Sequence, residues 1–497
     1  MNPALEVHGL RIAFAERVVV DGVSFSVEPG ECVAVVGESG AGKSLTARAL
    51  LGLTPAEATV TSDRLTVAGV DLAATGERGW RAQRGARIAL VSQDALVSLD
   101  PLQRVGSEVA EPLRVHGLPA GQERVQSLLR RVWMPDPERR ARQYPHELSG
   151  GLRQRALIAS AIAAGPAVLV ADEPTTALDA TVQARILVLL REIADAGTAV
   201  VFISHDFAAV RRLADRVLVM RDGRIVESGA VAQVLAAPQH DYTRQLIAAT
   251  IHEPRETTTT GAPEVLLAAT GLGRTFGSTA AVRDATFVVH AGRTLGIVGE
   301  SGSGKTTLAR MIIGVETPDQ GSLVWRGAHR VQLVHQNPLG AFDPRWTIGR
   351  SLREALAAGG VPRAERSARV EALLAEVGLE PALARRRPVA LSGGQRQRAA
   401  IARALAADPE VLVLDEPVSA LDPSVRERVL ALLLRLQRER ALTMVFVSHD
   451  LDVVGAIADE VLVMQDGEIV EQGGVAAVFA SPQHPFTREL LAASVSP

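Results

Sequence analysis

The stretch VVGESGAGKS (Val35 to Ser44) and its second copy, IVGESGSGKT (Ile297 to Thr306), decide the fold. In each copy a short apolar run ends at a glycine-rich loop, and a helical pattern follows the lysine. That order is typical of a strand, a loop and a helix start. Glycines let backbone N–H groups converge on an anion, and the helix start adds about half a positive charge. Each stretch therefore predicts a phosphate-binding loop.

Lysine usage singles out the same two loops. Of the 53 basic residues, only Lys43 and Lys305 are lysine, and all the others are arginine. A compact ammonium on a flexible stem can turn into such a loop and reach phosphate oxygens, whereas a planar guanidinium is too broad. Both lysines are therefore candidate phosphate ligands. Ser44 and Thr306, which follow them, are candidate Mg²⁺ ligands.

Length and composition exclude several classes of protein. The 497 residues are 47% hydrophobic, so disorder is not the dominant state, and the net charge of −3 argues against a nucleic-acid partner. Cys32 is the single cysteine, so a disulfide, an iron-sulfur cluster and a multi-thiolate zinc site are not expected. We expect it to be buried in a strand, in a reducing compartment. No signal peptide or span of ~20 apolar residues is visible, so any membrane role is expected to be peripheral.

The chain is predicted to be a tandem repeat. Three landmark pairs are 243 residues apart and a fourth pair is 244 apart, namely Gln93 and Gln336, Ser149 and Ser392, Glu173 and Glu416, and His205 and His449. The threonine-rich segment IHEPRETTTTGAPE (Ile251 to Glu264) lacks apolar periodicity, which favours a linker. We therefore expect domains over residues 1–250 and 264–497, joined by a linker over residues 251–263.

Short apolar runs alternate with helical patterns in each half. This alternation predicts an α/β fold whose central sheet is largely parallel. The segment from Thr54 to Arg87 is longer than its counterpart from Thr317 to Arg330. An edge strand or loop is therefore expected to be trimmed in the second half.

A pair of carboxylates ends an apolar run in both halves. The runs are AVLVADEP (Ala167 to Pro174) and VLVLDEP (Val411 to Pro417). Ligands of open α/β sheets collect at the carboxyl ends of strands. The first acid, Asp172 or Asp415, suits Mg²⁺, and the second, Glu173 or Glu416, is placed to polarise an attacking water. Alone, such a pair is more often a helix-capping turn, but its recurrence after each phosphate loop favours chemistry.

Ser-Gly-Gly begins a predicted helix in both halves. The two segments are LSGGLRQR (Leu148 to Arg155) and LSGGQRQR (Leu391 to Arg398). A serine and open amides at a helix start favour an anion, although a plain N-cap is the alternative for either segment by itself.

The ordered set of motifs resembles the ABC ATPases over nearly the whole chain. Matching features also include Gln93 and Gln336, the ALD turns that end at Asp179 and Asp422, and the SHD motifs around His205 and His449. The resemblance implies two tandem P-loop NTPase domains of the ABC type. Each has a RecA-like α/β core, an antiparallel β subdomain and a helical subdomain. It implies ATP and Mg²⁺ as cofactors, with no iron-sulfur cluster or zinc.

Residue roles follow from the resemblance. The implied catalytic residues are Glu173, His205, Glu416 and His449, and the implied D-loop residues are Asp179 and Asp422. The implied metal ligands are Ser44, Gln93, Asp172, Thr306, Gln336 and Asp415. The implied ATP-binding residues are Phe14, Gly37, Ser39, Gly40, Gly42, Lys43, Ser44, Ser149, Gly150, Gly151, Phe276, Gly299, Ser301, Gly302, Gly304, Lys305, Thr306, Thr307, Ser392, Gly393, Gly394 and Gln395. Phe14 and Phe276 resemble the family's adenine-stacking aromatic, although a strand phenylalanine is commonly part of the core.

The resemblance also implies an intrachain pseudo-dimer whose halves face head to tail. One ATP site pairs Gly37 to Ser44 with Ser392 to Gln395, and the other pairs Gly299 to Thr306 with Ser149 to Leu152. Because both halves carry the catalytic glutamate and histidine, we expect roughly symmetrical hydrolysis.

The tails PQHDYTRQLIAA (Pro238 to Ala249) and PQHPFTRELLAA (Pro482 to Ala493) resemble those of ATPases that serve dipeptide, oligopeptide and nickel importers. The implied function is an ATP-hydrolysing subunit for import of di- or oligopeptides, with nickel or another small solute as the alternative. Two membrane permease subunits are expected to contact the Gln93 and Gln336 loop regions on the cytoplasmic face of the cell membrane. An extracytoplasmic substrate-binding protein is expected to act indirectly.

Other ABC classes fit the residues less well. Tandem ABC ATPases that act on ribosomes resemble one another in having a long charged linker, whereas this linker is short. A DNA-repair ABC protein has zinc-binding cysteines, which this chain lacks. The two tails disfavour a sugar importer.

Overall fold

The computed structural model describes residues 2–38, 40–92, 98–175, 180–248, 264–277, 279–300, 302–327, 329–419, 421 and 423–494. Most of the described residues up to 248 form one compact unit, and those from 264 onward form a second. The predicted linker, residues 251–263, lies outside the described residues, and the predicted domain limits stay a prediction.

The first unit combines eleven described strands with ten described α-helices. Its strands are β1 (Leu5–Phe14), β2 (Arg17–Val27), β3 (Cys32–Val36), β4 (Ala58–Thr61), β5 (Arg64–Val67), β6 (Val70–Asp71), β7 (Ile88–Val91), β8 (Val168–Asp172), β9 (Ala199–Ile203), β10 (Arg216–Arg221) and β11 (Arg224–Ala230). Its helices are α1 (Lys43–Ala49), α2 (Glu77–Gln83), α3 (Val105–Val115), α4 (Gln122–Arg131), α5 (Pro137–Arg142), α6 (Gly150–Ala161), α7 (Ala180–Asp195), α8 (Phe207–Leu213), α9 (Val231–Ala236) and α10 (Asp241–Ala248).

The second unit repeats this order with fewer elements among its described residues. Its strands are β12 (Val265–Phe276), β13 (Thr279–His290), β14 (Thr294–Gly299), β15 (Gln320–Trp325), β16 (Val331–Val334), β17 (Val411–Asp415), β18 (Thr443–Val447), β19 (Glu460–Gln465) and β20 (Glu468–Gly474). Its helices are α11 (Lys305–Ile312), α12 (Ile348–Ala358), α13 (Arg366–Glu376), α14 (Gly393–Leu405), α15 (Pro423–Arg440), α16 (Leu451–Ile457), α17 (Val475–Ala480) and α18 (Pro485–Ser494).

A six-stranded sheet forms the centre of each unit. Its strand order is β11-β10-β3-β9-β8-β7 in the first unit and β20-β19-β14-β18-β17-β16 in the second. All neighbours in these sheets are parallel except the hairpin pairs β10–β11 and β19–β20. Each unit also has a separate antiparallel sheet. In the first unit β1 pairs with β2, β4 and β5, and in the second β12 pairs with β13 and β15. With the helices α3–α6 and α12–α14, this confirms the predicted α/β core, antiparallel subdomain and helical subdomain.

The central strand β3 shows how the sheet is held between two cores. Cys32, Ala34 and Val36 belong to a core shared with the helical layer, whereas Val33 and Val35 belong to the core beneath the antiparallel sheet. Successive strand residues face opposite sides of a sheet, so apolar residues at every position bury both faces. Burial also raises the pKa of the Cys32 thiol. Packing on both faces therefore fixes the position of the sheet and, with it, the positions of the carboxyl ends of its strands.

The two units differ where the sequence predicts a shorter segment. The first unit has β4, β5, β6 and α2 there, whereas the described residues of the second unit between α11 and β16 form only β15. The loss of strands confirms the prediction, and the loss of α2 goes beyond it. No helix in the described part of the chain is long and apolar enough to cross a bilayer.

Candidate active site

Three neighbouring strands deliver the predicted site residues to one edge of the sheet. The phosphate loop follows β3, Glu173 follows β8 and His205 lies two residues after β9. The backbone continues the sheet pairing past the strand ends, since Glu173 N–H donates to Ile203 O at 3.0 Å. Because β9 lies between β3 and β8, the loop, the acid and the histidine converge.

The second unit places its counterparts in the same way. Glu416 N–H donates to Val447 O at 2.9 Å, and Ser448 N–H donates to Ile297 O at 3.1 Å. The phosphate loop follows β14, and His449 follows Ser448 after β18. Each unit therefore assembles a loop lysine, two acids and a histidine at the carboxyl edge of its central sheet.

The loop lysines are buried inside their own loops. Lys43 is 5% exposed, and its Nζ donates to the carbonyl oxygens of Gly37 at 2.7 Å and Glu38 at 2.9 Å. Lys305 is equally buried and donates to Gly299 O at 2.7 Å and Glu300 O at 2.6 Å. Neutral carbonyls are weaker partners for an ammonium than charged phosphate oxygens are. The ammonium groups are thus positioned to exchange loop carbonyls for an anion.

The first glycine of each loop is required by close backbone packing. Gly37 and Gly299 both have a φ of 151°. A Cβ on Gly37 would lie 2.2 Å from Met220 O, and one on Gly299 would lie 2.2 Å from Met464 O. The loop can approach strands β10 and β19 only because these positions carry no side chain.

A hydroxyl and a buried carboxylate meet beside each loop. Ser44 Oγ donates to Asp172 Oδ1 at 3.0 Å, and Thr306 Oγ1 donates to Asp415 Oδ1 at 3.1 Å. Burial raises the pKa of Asp172 and of Asp415, although the hydroxyl hydrogen bond partly offsets that effect. Hydroxyl and carboxylate oxygens are the ligands that Mg²⁺ prefers, and a cation would relieve the cost of burying the charge. The residues present therefore fit Mg²⁺.

The candidate catalytic glutamates have left-handed backbone conformations. The φ angles are 48° at Glu173 and 46° at Glu416. For a residue other than glycine this conformation costs roughly 1–2 kcal/mol, and such strain clusters at functional sites. His205 Nδ1 lies 3.3 Å from Glu173 Oε1, and His449 Nδ1 lies 3.2 Å from Glu416 Oε1. Both units thus hold a glutamate against a histidine in nearly the same geometry.

Glu416 has a further partner in Gln336. The Gln336 Nε2 donates to Glu416 Oε2 at 2.9 Å. Burial acts to raise the pKa of Glu416, but the hydrogen bond and the charge of His449 outweigh it, so the pKa is lowered. Burial likewise acts to lower the pKa of His449, but the hydrogen bond and the charge of Glu416 outweigh burial, so the pKa of His449 is raised. Glu416 is therefore a carboxylate at neutral pH. The predicted role of Gln336 as a metal ligand stays a prediction.

Asp206 and Asp450, which follow the two histidines, are hydrogen-bonded by residues that belong to none of the sequence motifs. Asp206 Oδ2 accepts a hydrogen bond from Gln183 Nε2 at 2.6 Å, whereas Asp450 Oδ2 accepts one from Arg426 Nη1 at 2.7 Å. Both aspartates also cap helices, α8 and α16. Because the two units use different residues from α7 and α15, the repeat pattern gave no signal for them.

Ser149 and Ser392 are the N-caps of α6 and α14, so each helix starts where the sequence predicts. Leu152 N–H donates to Ser149 Oγ at 3.4 Å, and Gln395 N–H donates to Ser392 Oγ at 3.3 Å. In the second unit Ser392 N–H also donates to Gln395 Oε1 at 3.0 Å, which completes a capping box that Leu152 cannot form. The Ser-Gly-Gly segments that begin at Ser149 and Ser392 are called the signatures below. The pairing of each signature with the other half's phosphate loop stays a prediction.

The two signature glycines of the second unit differ in the space around them. A Cβ on Gly394 would lie 2.3 Å from Val425 Cγ1, whereas one on Gly393 would lie no closer than 3.8 Å to Leu421 Cδ2. We expect Gly394→Ala to lower the free energy of unfolding by about 1–3 kcal/mol through overpacking. The matched Gly393→Ala is expected to stay within about 1 kcal/mol of the unaltered chain. Calorimetry without nucleotide checks this, and equal melting temperatures for both variants would contradict it.

Several predicted site residues lie outside the described residues, namely Ser39, Gln93, Asp179, Ser301 and Asp422. Phe14 is the last residue of β1 and is half-buried. Phe276 is 45% exposed, with the Arg274 guanidinium 4.9 Å from its ring centroid. The predicted contacts of these aromatic rings and of the loop glycines with ATP stay predictions.

Comparison with known proteins places this geometry in a family. Residues 20–176 and 282–419 match the family model described as ABC transporter. The chain belongs to the ABC transporter family. Residues 226–273, which include the first tail, match the model described as the C-terminal region of oligopeptide/dipeptide transporters. The ABC family assignment makes the chain an ATP-binding protein and an ATPase.

Relatives match this ABC protein over nearly its full length. It is 42% identical to the peptidoglycan transport ATP-binding protein YejF of Agrobacterium fabrum, over 99% of this chain and 96% of the relative. It is 40% identical to the glutathione import ATP-binding protein GsiA of Escherichia coli strain K12, over 98% of this chain and 89% of the relative. These matches confirm the predicted family, including its fused tandem form.

Solved structures confirm the tandem ABC fold. The chain of the structure titled RNase-L Inhibitor has a TM-score of 0.68 at 22% identity, covering 99% of this chain and 93% of that one. A chain from the complex of archaeal ribosomal stalk protein aP1 and ribosome recycling factor aABCE1 has a TM-score of 0.67 at 21% identity, covering 96% and 90%. Identities this low establish the fold alone.

Proposed function

We propose that this ABC ATPase powers the import of di- or oligopeptides through two composite ATP sites within one chain. The observation that carries the substrate class is the match of residues 226–273 to the C-terminal region of oligopeptide/dipeptide transporters. Full-length relatives named for peptidoglycan transport and glutathione import add support.

Each composite site combines one half's phosphate loop with the other half's signature serine. The loop amides, helix start and lysine of one half bind the phosphates, and the signature helix start of the other half binds them from the opposite side. ATP therefore favours a closed arrangement of the halves, and hydrolysis with product release favours an open one. A difference in ATP affinity between the two arrangements drives the transport cycle.

Hydrolysis is assigned to the glutamate and histidine of each half. Glu173 and Glu416 accept a hydrogen bond from the attacking water, and His205 and His449 orient the carboxylates through contacts of 3.3 and 3.2 Å. General-base assistance of this kind contributes ~10²- to 10⁴-fold in rate. Ser44 with Asp172, or Thr306 with Asp415, would hold Mg²⁺, which would supply neutralisation of the phosphate charge.

The buried aspartates should reveal Mg²⁺ binding without any activity assay. Burial raises the pKa of both aspartates, so the folded protein without a cation disfavours their charged form. The free energy of unfolding therefore falls as pH rises above 3.8, the ordinary pKa of aspartate, and this destabilisation is present at neutral pH. We expect Asp415→Asn to melt no lower than the unaltered chain at pH 7 without ligands. The Mg²⁺-dependent rise in Tm with ATP, about 5–10 °C at saturation, should shrink markedly. A full Mg²⁺ increment in both Asp172→Asn and Asp415→Asn would contradict the assignment.

Permease contact is proposed for the segments after Gln93 and Gln336. Residues 93–97 lie outside the described residues, but the second segment forms a 3₁₀ turn over Pro338–Ala341 in which Leu339 is 36% exposed. An exposed apolar side chain beside the glutamine is suited to a docking permease helix. With this contact the chain lies peripherally on the cytoplasmic face of the cell membrane, and an extracytoplasmic binding protein delivers substrate to the permease.

Copurification and uptake test the proposal. Full-length tagged protein, extracted from native membranes in mild detergent, is expected to bring down two multi-span membrane subunits, and Leu339→Asp is expected to weaken that association. Recovery of ribosomes instead would contradict the importer assignment. Cells that lack the protein are expected to lose uptake of labelled peptides, whereas loss of nickel uptake alone would favour the alternative substrate.

A further inference from the structure

The C-terminal tail of the first unit contacts the phosphate loop of that unit. Tyr242, in α10, accepts a hydrogen bond on its hydroxyl from the backbone N–H of Glu38 at 2.9 Å. The two residues are 204 positions apart in the chain. Glu38 is the second residue of the loop, so a tail side chain is bonded directly to the phosphate-binding backbone.

A network of hydrogen bonds fixes Tyr242 at this position. The Glu227 carboxylate accepts N–H bonds from Gln239 at 2.7 Å and His240 at 3.0 Å, and His240 Nδ1 accepts the N–H of Tyr242 at 3.1 Å. Tyr242 is 5% exposed, and the Arg221 guanidinium lies 5.0 Å from the centroid of its ring. Hydrogen bonds, burial and the Arg221 contact therefore support Tyr242 beside the phosphate loop.

The second unit repeats the support but lacks the hydroxyl. Glu471 accepts N–H bonds from Gln483 at 2.8 Å and His484 at 3.1 Å, and His484 Nδ1 accepts the N–H of Phe486 at 3.3 Å. Phe486 is likewise 5% exposed. Phenylalanine occupies the place of tyrosine, so it has no oxygen to accept the Glu300 N–H. The chain thus contains a natural pair of tails that differ at the atom that contacts the loop.

The contact with Tyr242 acts on the loop at the residue that holds the lysine. Glu38 donates its N–H to Tyr242, and its carbonyl oxygen accepts from Lys43 Nζ at 2.9 Å. When a phosphate draws the ammonium away from that carbonyl, the N–H bond to Tyr242 still restrains Glu38. Holding a loop in its binding conformation lowers the ordering cost of ligand binding.

We propose that Tyr242 is a positioning residue that orders the first phosphate loop, so that this loop binds ATP more tightly than the second does. The inference rests on the proposed use of both loops for ATP. Since one net hydrogen bond is at stake, the expected effect of removing the hydroxyl is about 2- to 10-fold in Kd. Hydrolysis at saturating ATP is unaffected, because Tyr242 contacts the loop and not the reacting atoms.

Site-selective titration of the full chain tests the inference. Lys305→Ala leaves the first loop to bind a fluorescent ATP analogue with Mg²⁺, and Lys43→Ala leaves the second. Tyr242→Phe is expected to raise Kd about 2- to 10-fold in the Lys305→Ala chain and to leave Kd unchanged in the Lys43→Ala chain. The matched exchange Phe486→Tyr, in the Lys43→Ala chain, is expected to lower Kd for the second loop.

The outcomes separate the inference from the proposed function. A Kd that does not change with Tyr242→Phe, or that rises equally in both backgrounds, would overturn the positioning role, because a purely structural defect acts on both loops. A rate at saturating ATP that falls as much as the affinity would also overturn it. A Kd unchanged by Phe486→Tyr would overturn the claim that this hydroxyl separates the two loops. Failure of the unaltered chain to bind the analogue would overturn the proposed function and, with it, this inference.

Discussion

Changing both Glu173 and Glu416 to glutamine is expected to lower the ATP hydrolysis rate about 10²- to 10⁴-fold. Glutamine has the size of glutamate, so the left-handed turns and the contacts with His205 and His449 can persist. Its side-chain amide carries no carboxylate charge, so it cannot accept a proton from water. ATP binding should remain close to that of the unaltered chain.

The rate is measured by steady-state phosphate release at saturating Mg²⁺ and ATP. Glu427→Gln, on the exposed face of α15, is the matched control because it makes the same exchange away from the site. Each single change, Glu173→Gln or Glu416→Gln, is expected to remove at least about half of the activity. Full activity in either single variant would contradict roughly equal contributions of the two halves.

Changing Lys43 and Lys305 to arginine is expected to weaken ATP binding about 10- to 100-fold, although the positive charge is kept. Each ammonium fits between two loop carbonyls at 2.6–2.9 Å in a site that is 5% exposed. A guanidinium is broader and planar, so it cannot occupy that space without displacing the loop. This difference in shape is consistent with lysine at these two positions in a chain whose other basic residues are all arginine.

Equilibrium binding of a fluorescent ATP analogue measures this effect. Arg369→Lys, on the exposed face of α13, makes the reverse exchange away from the loops and is expected to leave affinity unchanged. Affinity at the level of the unaltered chain in the Lys43→Arg/Lys305→Arg variant would show that any cation serves in the loops.

Local sequence patterns predicted the elements that build the candidate site. Strand β3 followed from an apolar run, and α1 followed from the glycine-rich loop before it, because these signals involve neighbouring residues. The helix starts at Ser149 and Ser392 followed from the N-capping preference of serine. Recurrence of each motif after a phosphate loop favoured chemistry at these positions, and the resemblance to the ABC ATPases implied the individual residue roles.

Contacts between distant residues could not be predicted in the same way. The bond from Glu38 to Tyr242 joins residues 204 positions apart, and it depends on how α10 packs rather than on any local pattern. Gln183 and Arg426 donate hydrogen bonds to equivalent aspartates in the two units. Because one is an amide and the other a guanidinium, comparison of the two halves does not identify them as partners. The positive φ of Glu173 could likewise not be predicted, because glutamate has no intrinsic preference for it.

Nucleotide occlusion per chain, measured with radiolabelled ATP in the Glu173→Gln/Glu416→Gln background, tests most directly whether each ATP site joins the two halves. Lys43→Ala with Ser392→Arg alters one proposed site, whereas Lys43→Ala with Ser149→Arg alters both. We expect the first pair to retain one occluded nucleotide per chain and the second pair to retain none. Loss by the first pair with retention by the second would contradict composite sites, because each site would then be built within one half.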